Sequence, residues 1–273
     1  MATATVNGVA LHYDERGDGP PVLFLHGTGA SSFIWERSIG QLPPGHRLIT
    51  YDRRGFGESR GSLARGLRDH VEDATALLRE LAATPAAVVK KSGGAPIAFR
   101  LASQHPELVR TLVIAEPAYQ VALHPSLSVS RAMAKALARW ILLRDPEGAA
   151  VGYYRWTTRF TTGGNAYDGY PKEWRSTAVR HARATLREVL QLIPPSPRAT
   201  AVRGLSCPTT LLIGDISEPV FRRTTKRVHR LMPHARLVEV SDTSHLIPAD
   251  QPAAFAKAVS DALGIDARLS PSG

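Results

Sequence analysis

The stretch VVKKSGGAPIAFRLA, residues 88–102, passes from an apolar pair through two lysines to a serine and two glycines, and then into apolar residues at helical spacing. Short, nearly continuous apolar runs belong to strands buried on both faces, and apolar residues three and four apart form the buried stripe of a helix. Ser92 therefore stands on a sharp strand-to-helix turn. Lys90 and Lys91 occupy positions where a tight turn favours small side chains. Serine is also a common helix N-cap, so the turn alone leaves two readings of Ser92, a nucleophile or a cap.

Outward from this turn the same alternation repeats. GVALHYDERG (8–17), PVLFLHG (21–27), HRLITYDRRG (46–55) and RTLVIAEP (110–117) read as strands; SSFIWERSIGQL (31–42), LRDHVEDATALLRELA (67–82) and GAPIAFRLASQHPELV (94–109) read as helices. The pattern predicts an α/β fold, a mostly parallel doubly wound sheet with right-handed crossovers. From about Ala118 to Thr200 the strands stop and helical segments follow one another, among them SRAMAKALARWILLR, GYYRWTTRF and STAVRHARATLREVLQL. Strands return in TTLLIGD (209–215) and ARLVEVSD (235–242), before a last helix in ADQPAAFAKAVSDAL (249–263). A core of residues 1–117 and 201–273 with a helical cap inserted at 118–200 is expected, and ARLSPSG (267–273) reads as a frayed tail.

The composition, 43% hydrophobic and 21% charged in 273 residues, is that of a globular protein able to bury a large core. The net charge of +10 and pI near 10.2 come from arginines scattered among acids, without basic runs or interleaved aromatics, so no nucleic-acid partner is expected. The apolar runs are too short to span a bilayer, and MATATVNGVALHYDERG carries no basic stretch followed by an apolar core. No membrane partner and a cytoplasmic location are the expectations. The single Cys207 excludes an internal disulfide and a cysteine metal cluster, and reads as a small core residue.

Four stretches in order, FLHGTG (24–29), YDRRGFGES (51–59), the Ser92 turn and SDTSH (241–245), resemble the marks of the α/β-hydrolase family. The resemblance covers nearly the whole chain apart from the detail of the inserted helices. It implies Ser92 as nucleophile, His245 as general base, and the backbone N–H groups of Thr28 and Gly93 as an oxyanion hole. Against the usual G-x-S-x-G, this chain reads Lys90, Lys91, Ser92, Gly93, Gly94, keeping the trailing glycine and losing the leading one. Lys90 is expected to run its stem along the next helix to water, and Lys91 to be solvated. Asp52 and Arg54 read as scaffolding bonded within the protein.

The triad acid has two seats in this family. In LLIGDISEPVF the more usual seat holds Ser217, which carries no charge; in TLVIAEPAY the alternative seat, at the end of the strand after the nucleophile, holds Glu116. Glu116 is preferred, with Asp215 and then Glu218 in reserve. That seat resembles the lactonase and esterase branch, which implies hydrolysis of a carboxylic ester or lactone of a hydrophobic small molecule through an acyl-enzyme, with no cofactor and no metal. Dehalogenases and epoxide hydrolases of the fold carry an aspartate nucleophile, where this chain has Ser92. A ligand-binding protein of impaired activity and a cofactor-free haloperoxidase or acyltransferase are the alternatives. Trp140, Tyr153, Tyr154, Trp156 and Trp174 are candidate pocket lining, although aromatics at such spacing also form cores.

Overall fold

A computed structural model describes residues 2–121, 126–191 and 197–264, so the tail read in residues 267–273 lies outside the described residues. Its centre is one sheet of eight strands: β1 (Ala2–Val6), β2 (Val9–Arg16), β3 (Pro21–Leu25), β4 (Arg47–Tyr51), β5 (Ala86–Lys91), β6 (Val109–Ala115), β7 (Thr209–Gly214) and β8 (Arg236–Val240). The order across the sheet is β1-β2-β4-β3-β5-β6-β7-β8. The pairs β1–β2 and β2–β4 are antiparallel and the rest parallel. The expectation of an α/β fold with a mostly parallel sheet holds.

β1 is the strand that apolar runs did not announce. It alternates small residues in ATATV, and what makes it a strand is the following Asn7–Gly8 turn, where both residues have positive φ (50° and 72°). Such a two-residue turn matches strand twist and folds β1 back on β2 with Val6 opposite Val9.

β5 lies mid-sheet with all six residues buried. Its side chains alternate between two cores. Ala86 and Val88 pack with Leu77, Leu78, Ile97 and Leu101; Ala87 and Val89 pack with Trp35, Ile247 and Phe255. Full burial of Val88 and of Val89 contributes roughly 1.5–3 kcal/mol each, so the strand that presents Ser92 is firmly held.

Between β6 and β7 the described residues form helices: Leu127–Leu137, continued as a π-turn over Ala138–Leu142, then Pro146–Thr157, Ala166–Gly169, Lys172–Arg180, Ala182–Gln191 and Ala199–Arg203. The run read from 176 to 192 is broken at His181, whose Nε2 accepts the Gly57 N–H at 2.9 Å. Three further polar contacts hold this helical excursion against the sheet: Glu188 on Arg53, the Tyr154 hydroxyl on the Gly29 carbonyl, and the Tyr170 hydroxyl on Asp250.

Candidate active site

Ser92 directly follows β5 with φ +52°, in the left-handed region, and the helix Ala95–Gln104 begins three residues on. A non-glycine residue held there is strained, and such strain persists where the surroundings fix it. Here the Ser92 carbonyl accepts from the Ala118 N–H at 3.3 Å, and the loop after β3 presses on the other side. A Cβ on Gly27 would stand 3.0 Å from the Ser92 Cβ, so glycine is what lets that loop approach.

The Ser92 Oγ lies 2.7 Å from His245 Nε2, and His245 Nδ1 lies 2.6 Å from Glu116 Oε2, both within hydrogen-bond distance. The other carboxylate oxygen of Glu116 accepts from the Gly214 N–H at 2.9 Å and the Ser217 hydroxyl at 2.5 Å. Thus Ser217 is bonded to Glu116. Asp215 lies apart, its carboxylate accepting from the Thr243 N–H at 3.3 Å. Glu218 binds Ser128 and Arg159. All three members of the hydrogen-bonded chain are buried.

Burial pushes the Glu116 carboxyl up to about 8, opposed by donation from Ser217 and Gly214 and by the Lys91 charge. The same burial holds the His245 imidazole well below its usual range, with Lys91 pushing the same way. A neutral imidazole accepting from a serine hydroxyl is the protonation state a general base needs.

Both lysines depart from expectation. Lys90 does not reach water: it is fully buried, and its Nζ donates to the His26 carbonyl at 3.3 Å. The reason is space beneath the turn, since a Cβ on Gly94 would fall 0.9 Å from the Lys90 Nζ. The trailing glycine makes room for the lysine that replaces the leading one. Burial, with the nearby Arg53 charge, lowers the Lys90 amine well below its usual range. Lys91 points to the opposite face and is buried as well; burial lowers it to about 7 against the pull of Glu116 and Asp250.

The Thr28 backbone N–H donates to no backbone carbonyl among the described residues, and the Thr28 hydroxyl is buried without a partner. Gly93 opens the turn immediately after Ser92. The loop carrying Thr28 is anchored by Arg53, which is fully buried and donates to the carbonyls of His26 and Gly27 at 3.1 Å each. Arg53 also forms a bidentate pair with Glu188 at 2.7 and 3.1 Å. Asp52 accepts from the N–H groups of Ser32 and Glu58, and Arg54 pairs with Asp73, both within the protein as expected.

The candidate aromatics separate. Tyr154 lies against Gly29, beside Thr28; Trp156 packs on Phe221 in a tilted pair, with Tyr153 between it and Tyr154. Trp140 packs with Ala136, Ala149 and Leu186, and Trp174 with Phe33 and Tyr170 under the Arg37 guanidinium. Phe221 went unread in the sequence, yet its ring stacks on the His245 imidazole with centroids 3.5 Å apart. It belongs to an amphipathic helix, Pro219–Leu231, where nothing local marks one apolar residue as special. A polar group missed in the same way is Asp250, which accepts from the Ser244 N–H, the Ser244 hydroxyl and Tyr170 and so braces the loop that carries His245. The Cys207 thiol is half-buried and pushed up by burial, far from nucleophilic form. Among the described residues no His, Cys, Asp or Glu cluster is arranged to hold a metal, and no helix is long and apolar enough to cross a membrane.

Residues 22–258 match the model of the alpha/beta hydrolase family. An uncharacterized hydrolase of Bacillus subtilis, YraK, is 35% identical over 127 residues, 45% of this chain and 46% of YraK, so the chain spans about half the length of that relative. The 2-(acetamidomethylene)succinate hydrolase of Mesorhizobium japonicum is 26% identical over 267 residues, 94% of this chain and 92% of that protein. A bromoperoxidase from Bacillus anthracis has the same fold, with a TM-score of 0.80, 22% identity, and coverage of 96% of this chain and 99% of that one. Other similar proteins bear the names esterase, enol-lactonase and haloalkane dehalogenase.

Proposed function

Because the chain belongs to the alpha/beta hydrolase family, we propose that it is a serine hydrolase that cleaves a carboxylic ester or lactone of a hydrophobic small molecule through an acyl-enzyme. The observation that carries this reading is the unbroken chain from Glu116 through His245 to Ser92, at 2.6 and 2.7 Å, on a turn that holds the hydroxyl in place. An aspartate nucleophile, as dehalogenation on this fold requires, has no counterpart at position 92.

His245 takes the Ser92 proton on Nε2 as Oγ attacks the carbonyl carbon, and Glu116 stabilises the imidazolium and fixes its tautomer. The carbonyl oxygen becomes an oxyanion, held by the N–H groups of Thr28 and Gly93; loss of one such donor typically costs about 3–4 kcal/mol of transition-state stabilisation. The tetrahedral intermediate collapses as His245 returns the proton to the leaving alkoxide. Water then enters, gives its proton to His245, attacks the acyl carbon, and releases the acid with Ser92 regenerated. In a lactone the leaving hydroxyl stays tethered to the acyl chain. Tyr153, Tyr154, Trp156 and Phe221 suit apolar groups near the reacting carbon, and residues 118–200 serve as the cap that carries most of them.

The reading is tested with nitrophenyl esters of rising acyl length and a series of lactones. Hydrolysis by the wild type and its loss in Ser92→Ala are the expected results. Halide release from haloalkanes, faster peracid formation than hydrolysis when peroxide is added, or ligand binding without turnover would each replace it.

A further inference from the structure

The outer face of the helical excursion carries features that hydrolysis does not use. Arg131, Lys135 and Arg139 stand four residues apart along Leu127–Leu137 and its π-turn, and Arg155 and Arg159 face them from Pro146–Thr157 and its end. Together they line a groove of about 580 Å³ whose floor is small residues and Trp156. Like charges at this spacing repel. Arg139, Arg155 and Arg159 are neutralised by Asp145, Asp168 and Glu218, whereas Arg131 and Lys135 face no carboxylate among the described residues.

Beside this basic groove the chain exposes aliphatic side chains in succession. Ile141, Leu142 and Leu143 are 61, 77 and 68% exposed, and Leu127 is 66% exposed. Arg139 and Arg144 flank the three. Contiguous apolar surface facing water marks an interaction site, and basic side chains around projecting aliphatic ones suit the anionic headgroup layer of a bilayer.

We propose that this face docks on an anionic lipid bilayer, with Ile141, Leu142 and Leu143 entering the interface and Arg131 and Lys135 meeting lipid phosphates. A second copy of the chain is disfavoured, because two-fold pairing through this face would bring one uncompensated basic surface against another. A bilayer is favoured over an acidic protein because three successive projecting side chains enter a fluid interface without a matching pocket. The sequence expectation of no membrane partner rested on the lack of a spanning segment, and surface attachment needs none. The proposal goes beyond the hydrolase reading and stands independently of it.

The test uses full-length Ser92→Ala protein, so that lipid hydrolysis cannot affect the readout, pelleted with vesicles of phosphatidylglycerol and phosphatidylcholine or of phosphatidylcholine alone. Roughly tenfold or stronger partitioning onto the anionic vesicles is expected, falling as salt rises. Arg131→Glu with Lys135→Glu, and separately Leu142→Ser with Leu143→Ser, should each weaken it roughly tenfold. In an otherwise wild-type chain the same changes leave hydrolysis of a water-soluble ester unaltered. No pelleting, equal pelleting on both vesicles, or pelleting unchanged by either pair overturns the proposal. So does binding to polyglutamate without binding to vesicles, which would assign the face to an acidic protein.

Discussion

Glu116 and His245 are 129 residues apart in the chain, and their side chains meet at 2.6 Å with the Glu116 carboxylate further held by Ser217 and Gly214. Asp215, one residue past β7, faces the Thr243 backbone instead. Glu116→Gln is therefore expected to lower kcat by about 10⁴-fold, since the amide supports neither the tautomer nor the developing charge. Asp215→Asn should leave kcat within a few-fold. Steady-state kinetics on one ester decide the ranking, and its reversal would move the acid to Asp215.

The pH dependence follows from the same pair. A protonated Glu116 donates to His245 Nδ1 and leaves the imidazole proton on Nε2, where the serine proton must go. With the carboxyl raised to about 8 by burial, kcat/KM on a non-ionising substrate should rise as pH climbs through about 8. Ser217→Ala removes a donor to the ionised form and should move this limb upward. Lys91, lowered to about 7, is mostly neutral where this limb lies, so Lys91→Met should move it only slightly upward. A limb that vanished in Lys91→Met would show that the lysine itself is the titrating group.

Lys90 and Gly94 share one space, so their substitutions should not add. Lys90→Gly restores the family pattern but empties a packed site and removes the donor to the His26 carbonyl, a loss expected to cost about 2–5 kcal/mol. Lys90→Met keeps the volume and should cost less. Gly94→Ala pushes a methyl into the Lys90 amine and should cost about 1–3 kcal/mol alone. In the Lys90→Gly background the same alanine meets the His26 carbonyl oxygen, at 3.1 Å, and should cost less, a coupling of about 0.5–3 kcal/mol readable from urea denaturation of the four proteins. Strict additivity would mean that the amine does not occupy that space.

Arg53 joins the helical excursion to the loop bearing Thr28, and its guanidinium is entirely buried. Glu188→Gln leaves that charge unpaired and should destabilise by about 3–5 kcal/mol, while Arg53→Met with Glu188→Leu should be milder than Glu188→Gln alone. Denaturant midpoints compare them. A Glu188→Gln midpoint equal to wild type would show that the pair contributes nothing to holding the excursion in place.

The sheet was legible because β3 to β7 are buried on both faces, and burial writes itself as apolar runs. β1 was not, because an edge strand of small alternating residues shows only through its Asn7–Gly8 turn. Ser92, His245 and Glu116 are the residues that the resemblance to the α/β-hydrolase family implies, each at or just past a strand end, and the structure brings those three together. The fate of Lys90 is not legible locally because it depends on a partner 64 residues away, the His26 carbonyl, and on the missing Cβ of Gly94. Phe221 and Asp250 were invisible for a similar reason: each acts through a contact made only when distant segments close around His245.

The central claim is that the Ser92 hydroxyl is activated by His245, and covalent labelling tests it most directly. The folded protein is treated with a fluorophosphonate, digested, and mapped by mass spectrometry. The account predicts the adduct on Ser92, formed far more slowly in His245→Ala and absent in Ser92→Ala. An adduct on another residue, or Ser92 left unmodified in protein that turns over an ester, would contradict it.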